Sequence, residues 1–184
     1  MPDLSIISWP DVPDVTIVTS PLSSDALRCT VQWRCRDKVQ LLFLPEGIFA
    51  LIDHDLVERS IDDVLVGMGR VLAWHAGHGD GPVSRSHLMG ELQKLESTAG
   101  RCDPLTWLDL PGASLTPFDV EHNIYQYGLR ADREAALLFA DQNPAGPFSW
   151  VQFSDITPAR TLLIALGRTL VSHHNLIRCG RATP

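Results

Sequence analysis

Apolar residues recur along this chain in two rhythms. From 27 to 36 they fall at every second position: Leu27, Cys29, Val31, Trp33 and Cys35 share one face, and Arg28, Thr30, Gln32, Arg34 and Arg36 the other. Alternation of period two marks a strand with one buried face. Strands are also predicted at 15–19, 39–44 and 48–52, with Ile6 and Ile7 set to pair at a sheet edge. Asp37 and Lys38 are read as the polar hairpin turn before the 39–44 strand. The same rhythm returns at 121–130, where Tyr125, Tyr127 and Leu129 point inward, and at 135–140 and 148–153, with Asp132 and Arg133 as the turn. Pro45 with Gly47, and the Pro- and Gly-rich 143–147, break the pattern.

The second rhythm is helical. In 155–174, Leu162, Leu163, Ile164, Leu166, Leu170 and Val171 cover most of a helix circumference, so this helix is expected to be buried on more than one side. Thr157 is predicted as its N-cap and Pro158 as its first helical residue. A weaker version spans 60–75, where Ser60 and Asp63 resemble a capping box.

The two helices align at one spacing. Leu65 with Leu163, Gly69 with Gly167, Arg70 with Arg168, Leu72 with Leu170 and His75 with His173 are all 98 positions apart (167 − 69 for the glycines). Trp9, Asp11 and Pro13 are echoed at the same spacing by Trp107, Asp109 and Pro111. Looser echoes pair Ser20-Pro21 with Thr116-Pro117 and Leu41-Leu42-Phe43 with Leu137-Leu138-Phe139, both 96 apart, and Gln32 and Arg36 with Gln126 and Arg130, 94 apart. The expected fold class is therefore α+β: a tandem duplication of a meandering antiparallel sheet plus a helix. The first ββββα repeat covers 1–76 and the second 101–184, with pseudo-two-fold packing like a fused homodimer. Between them, 77–100 reads as a Gly-rich linker and a bridging helix capped by Ser84 or Ser86, with Leu88, Leu92 and Leu95 in one stripe. A helix-interior Gly costs about 1 kcal/mol relative to Ala. Two at matching places predict that the helices cross at Gly69 and Gly167, or that each lies tightly on its own sheet.

Charge narrows the function classes. The formal net charge is −7, which leaves no global basic footprint for nucleic acid or an acidic membrane. Hydrophobic residues make up 45% and charged residues 20%, as in soluble globular proteins, and no apolar run approaches the ~20 residues of a membrane span. The N-terminus does not read as a signal peptide. Cys29, Cys35, Cys102 and Cys179 lack metal or redox spacing, so reduced thiols in a cytoplasm are expected.

Trp150 and Phe153 on a last strand, followed by Thr157, Pro158 and the apolar run through Leu162, Ala165 and Leu170, resemble the end of the actinobacterial family catalogued as domain of unknown function 317. The resemblance covers 150–170. It implies an intracellular, duplicated protein of the kind that often carries tandem copies, and it brings no catalytic residues.

Candidate sites are few. Arg28, Arg34 and Arg36, with Arg130 in the second half, form a candidate basic row for phosphates or an acidic partner; a solvated sheet face is the ordinary alternative. Arg70 and Arg168 are polar insertions in apolar helices, expected to pair with carboxylates such as Asp63 or Glu58, or to rim an interface. His75, His78 and Asp80 offer metal-ligand chemistry, as do His173, His174 and Cys179, but neither set provides a preorganised fourth ligand. The glycines of 77–81 could cradle an anion, but they lack the Lys and Ser/Thr of a phosphate loop. Asp11 and Asp109 could do acid–base work, though Asp beside Pro is commonly a turn residue. No catalytic, metal or cofactor site is assigned. The expectation is a non-enzymatic protein-binding or scaffold protein, with a homo-oligomer left open. A nucleic-acid accessory factor using the arginine row, and an enzyme with a site between the repeats, are the alternatives.

Overall fold

The computed structural model describes residues 5–53, 55–56, 61–78, 84–98, 104–120, 124–141, 150–155 and 157–178. Five strands open the chain: β1 (Ser5–Ser8), β2 (Val15–Pro21), β3 (Leu27–Trp33), β4 (Arg36–Leu44) and β5 (Gly47–Ile52). Helices α1 (Asp62–His78) and α2 (Arg85–Thr98) follow. Five more strands come next, β6 (Leu105–Trp107), β7 (Leu110–Val120), β8 (Ile124–Ala131), β9 (Glu134–Asp141) and β10 (Trp150–Phe153), and then α3 (Arg160–Arg178). The class is α+β, with two five-stranded antiparallel meanders, each ordered as in the chain. Each sheet thus has one strand more than the four predicted. The additions are the edge strands β1 and β6, which the short apolar pair Ile6-Ile7 and the Trp107 segment only hint at.

The first three strands of each sheet pair at one common spacing. Ile17 faces Val31 while Leu115 faces Leu129, and Ile7 faces Ile17 while Leu105 faces Leu115. All of these match at 98, while β4 matches β9 at 97 (Leu41 with Leu138) and β5 matches β10 at 101 (Ala50 with Val151), so the 94 and 96 spacings expected from Gln32, Arg36 and Ser20 are not the structural ones. The reason is local. The hairpin between β3 and β4 turns at Arg34 and Cys35, with φ of 48° and 62°, and not at Asp37 and Lys38. Two consecutive positive φ values are those of a type I′ turn, whose twist suits a two-residue hairpin. A register shift at Val31/Gln32 follows. Lys38 is buried there, and its Nζ donates to Asp53 Oδ2 (2.8 Å) and Asp55 Oδ2 (3.2 Å), tying β4 to the exit of β5.

Helix α1 lies on the first sheet, where a Cβ on Gly67 would meet Val15 Cγ1 at 2.8 Å. Helices α1 and α3 cross at their glycines. A Cβ on Gly69 would meet Leu163 Cδ2 at 2.8 Å, and one on Gly167 would meet Leu65 Cβ at 2.7 Å. The four residues exchange contacts reciprocally, each leucine seated on the other helix's glycine. This joins both sheets and both helices in one core, in which Leu65, Met68, Leu163 and Leu166 are almost fully buried. The expected burial of α3 on more than one side is thereby explained: it meets α1 and the second sheet at once.

The α3 N-terminus differs from the expectation. Thr157 donates both its N–H (3.0 Å) and its hydroxyl (3.4 Å) to Asp155 Oδ1, and the helix starts at Arg160. Leu163 N–H bonds Ala159 O, and the Ala159 N–H is taken by Glu134 Oε2 at 2.7 Å. A carboxylate from the β8–β9 turn thus caps the helix, in keeping with the positive end of the helix dipole. Ser60 lies outside the described residues, and Asp63 accepts from Arg160 Nη2 at 2.5 Å. Helix α2 begins as predicted, with the His87 N–H donating to Ser84 Oγ at 3.3 Å. It packs Leu88 and Leu92 against Phe118, Ala135 and Leu137 on the outer face of the second sheet, in a smaller core of its own.

Candidate functional site

The two helix arginines have turned-in, well-defined partners. Arg70 Nη1 and Nη2 donate to Asp11 Oδ1 and Oδ2 at 2.9 and 2.6 Å. Arg168 does the same to Asp109 at 2.9 and 2.6 Å, and Nη2 also reaches Asp62 Oδ1 at 3.4 Å. The partners are therefore the aspartates of the Trp-Asp-Pro segments and not Asp63; Glu58 lies outside the described residues. A guanidinium matches a carboxylate in this fork-to-fork way, with directional gain beyond a point charge. The hydrogen bonds from Arg70 and Arg168 hold the Asp11 and Asp109 carboxyls below their ordinary 3.8, and Asp109 in turn raises Arg168. Ionised at neutral pH, these aspartates have no proton to donate as general acids, and both oxygens of each carboxylate are engaged by an arginine. Each clamp ties the loop between the first two strands of a sheet to the mid-point of a helix.

The predicted arginine row does not form as a row. Arg28 is on the outer face of β3, its Nε donating to Ser20 Oγ at 3.3 Å. Arg34 sits in the turn, paired with Asp14 at 3.1 Å and stacked 4.5 Å from the Trp33 ring. Arg36 opens β4, and Arg130 is bound to Glu96 of α2 at 2.7 Å.

The histidines serve the core. The His75 ring stacks on Phe43 with centroids 4.0 Å apart. His173 is buried, and its Nδ1 faces the Tyr127 hydroxyl at 2.8 Å. Burial, with Tyr125 nearby, pushes the Tyr127 phenol up to about 12. Asp80 and Cys179 lie outside the described residues, and so does most of the 77–81 glycine loop. Among the described residues no group of His, Cys, Asp and Glu is arranged to hold a metal ion.

One concave feature does stand out. A cleft of about 600 Å³ opens where α1, the inner face of the first sheet and the 157–158 segment meet. Its walls include Trp9, Trp74, Val71 and Cys29, with Thr157 and Pro158 closing one side from the other half of the chain. The Arg70 guanidinium stands 5.1 Å over the Trp9 ring, so the cleft has one polar corner that is already charge-compensated by Asp11. Trp74 is 46% exposed on the helix. The Cys29 thiol is pushed up to about 12 by burial, so it stays a neutral thiol and not a nucleophile. A volume of this size, apolar walls and a single polar corner are the usual character of a binding pocket, as they bury most of a guest and orient it. Sequence reasoning allows a site between the repeats but names no lining for this cleft. Its residues are scattered over 9–158, and the only local signal was Trp74, an aromatic out of phase with the buried stripe of α1.

Comparison with protein-family models, with curated proteins and with solved structures finds no match to this chain. No helix among the described residues is long and apolar enough to cross a membrane.

Proposed function

We propose that this chain is a non-enzymatic binding or scaffold protein, built by tandem duplication of one sheet-plus-helix unit, whose inter-half cleft receives a protein partner. The duplication is supported by the spacing of 98 in the first three strands of each sheet, the reciprocal Gly–Leu seats and the two matching Arg–Asp clamps. The observation that carries the binding reading is the apolar, tryptophan-lined cleft between the halves. Several residues of reactive type serve the structure: Asp11 and Asp109 in clamps, His75 and His173 against aromatics, Cys29 as a buried thiol. The kinship with the domain of unknown function 317 proteins, and a cytoplasmic setting, belong to the same proposal and rest on the residues of 150–170 and the cysteine usage.

The nucleic-acid reading is weaker, because Arg34, Arg70, Arg130 and Arg168 each carry a carboxylate partner and a phosphate would have to compete for them. The test is capture of partners by the tagged protein from its native lysate, with and without nuclease, next to a Trp74→Ala variant. A partner retained after nuclease and lost with Trp74→Ala is the expected result. A partner set that vanishes with nuclease, or that ignores Trp74, refutes the cleft as the site.

A further inference from the structure

The two halves fill the same place differently. Cys29 faces Thr19 on one side and Leu41 on the other, beneath α1. Tyr127, 98 positions on, faces Pro117 and Leu138 beneath α3. In the second half the tyrosine ring occupies the space between sheet and helix and bonds His173. In the first half a cysteine and a threonine stand there, and Ala73 stands where α3 has Val171. The room vacated is part of the cleft, since Thr19, Cys29 and Ala73 all line it. At the Cys29 position the first half thus carries no ring of its own, and its helix histidine, His75, is met by Phe43 of β4 instead.

From this we infer that the cleft takes an aromatic side chain, tyrosine or phenylalanine in kind, presented by a partner polypeptide; this rests on the reading of the cleft as a protein-binding site. The chemistry of the walls fits such a guest. Trp9 and Trp74 line the cleft with aromatic rings, and aromatic pairs gain stability beyond their buried area. Arg70 and Asp11 neutralise each other, so the site asks for no charge on its guest.

The experiment follows the indole N–H signals of the 15N-labelled full chain, with Trp9→Phe and Trp74→Phe giving the assignments. Titration with N-acetyl-tyrosine amide is expected to shift the Trp9 and Trp74 signals saturably and leave the other three tryptophans in place. The saturated analogue N-acetyl-cyclohexylalanine amide should bind at least about 3-fold more weakly, since it loses only the ring–ring contribution. Cys29→Tyr should plug the cleft and abolish the shift, whereas Cys29→Ser should keep it. If Cys29→Tyr does not fold, Trp74→Ala serves instead and should weaken binding at least about 3-fold. No saturable shift in the native protein, undiminished binding by a folded Cys29→Tyr protein, or equal binding of the saturated analogue would overturn the inference. So would binding of free phenol without binding of the capped residue, because the polypeptide source would then be wrong. A captured partner that ignores Cys29→Tyr sinks this inference alone; tyrosine amide binding without any captured partner sinks the functional reading alone.

Discussion

Alanine at the helix crossing separates two opposed effects that act on the same atom. In a helix interior Ala is favoured over Gly by about 1 kcal/mol. At Gly167, however, the new methyl would lie 2.7 Å from Leu65 Cβ, 3.0 Å from its Cδ2 and 3.2 Å from its Cα. Cβ and Cα cannot rotate out of the way, so α1 and α3 must move apart. Overpacking of this kind costs about 1–3 kcal/mol, and because the obstruction is backbone-bonded the upper part of that range applies. The net expectation for Gly167→Ala is a loss of about 1–2 kcal/mol. At Gly69 the nearest atom is the Leu163 Cδ2 methyl at 2.8 Å, which can swing aside, with Cβ at 3.1 Å behind it. Gly69→Ala should therefore cost less, between about 0 and 1 kcal/mol. Gly90 in α2 is the internal reference, since a Cβ there meets nothing within 4 Å. Gly90→Ala should stabilise by up to about 1 kcal/mol.

The assay is urea unfolding followed by circular dichroism, with thermal melts in parallel, where about 2–4 °C corresponds to 1 kcal/mol for a chain of this size. The double variant at Gly69 and Gly167 should lose less than the sum of the single losses, because the first methyl has already parted the helices for the second. Leu65→Ala should not rescue Gly167→Ala, since the alanine keeps the clashing Cβ. If Gly167→Ala stabilises as much as Gly90→Ala, the helices are not in close contact there and the crossing described above is wrong.

Three further perturbations probe other parts of the fold. Cys35→Gly should stabilise by about 0.5–1 kcal/mol in urea unfolding, because Cys35 sits at φ 62°, where a side chain is strained and glycine is not; a loss would mean that the turn is not of the I′ kind. Tyr127→Phe should cost about 1–2 kcal/mol, since it removes the hydroxyl buried against His173 Nδ1, and an unchanged unfolding midpoint would refute that bond. The Asp11 and Asp109 carboxyls are depressed by their arginines, so their contribution is present above their ordinary 3.8 and fades as pH falls through the lower folded values. The urea midpoint of the native protein should therefore drop more between pH 6 and pH 3 than that of Asp11→Asn/Asp109→Asn; equal drops would show that the clamps add nothing.

Much of this architecture is legible in local patterning. The strand alternation, both helices, the Ser84 cap and the meaning of the paired glycines need only neighbours in the chain, together with the comparison of one half with the other. What escaped was set by tertiary context. The hairpin at Arg34 and Cys35 carries none of the Asn or Gly that mark a I′ turn, and Asp37-Lys38, which does look like a turn, is held in β4 by the Lys38 ion pairs. The alternation of apolar residues continues to Cys35 without regard to the turn, which is why Arg34 and Arg36 read as extensions of the Arg28 face. The aspartates that clamp Arg70 and Arg168 are 59 residues away in each case, beyond any local pairing rule.

The placement of α2 follows from a difference between sheets that becomes readable only once the registers are known. Across the outer face of the second sheet run the rows Phe118–Gln126–Phe139, Thr116–Gly128–Leu137 and Ser114–Arg130–Ala135. The matching rows of the first sheet are Ser20–Arg28–Leu42, Val18–Thr30–Gln40 and Thr16–Gln32–Asp37. Where α2 rests, the second sheet offers phenylalanine, leucine, alanine and a glycine so closely approached that a Cβ would lie 2.6 Å from Leu92 Cδ2. At those places the first sheet carries serine, threonine, glutamine and aspartate, which keep their hydrogen bonds in water and would lose them under a leucine stripe. One bridging helix can therefore satisfy a chain with two sheets, because only one of them has an outer face that requires covering. The two sheets differ in opposite senses on their two faces: the second is apolar outside under α2 and filled by Tyr127 inside, while the first is polar outside and left open at Cys29. That exchange puts the cleft in the half whose outer face is already content in solvent, so a guest could bind there without any rearrangement of α2.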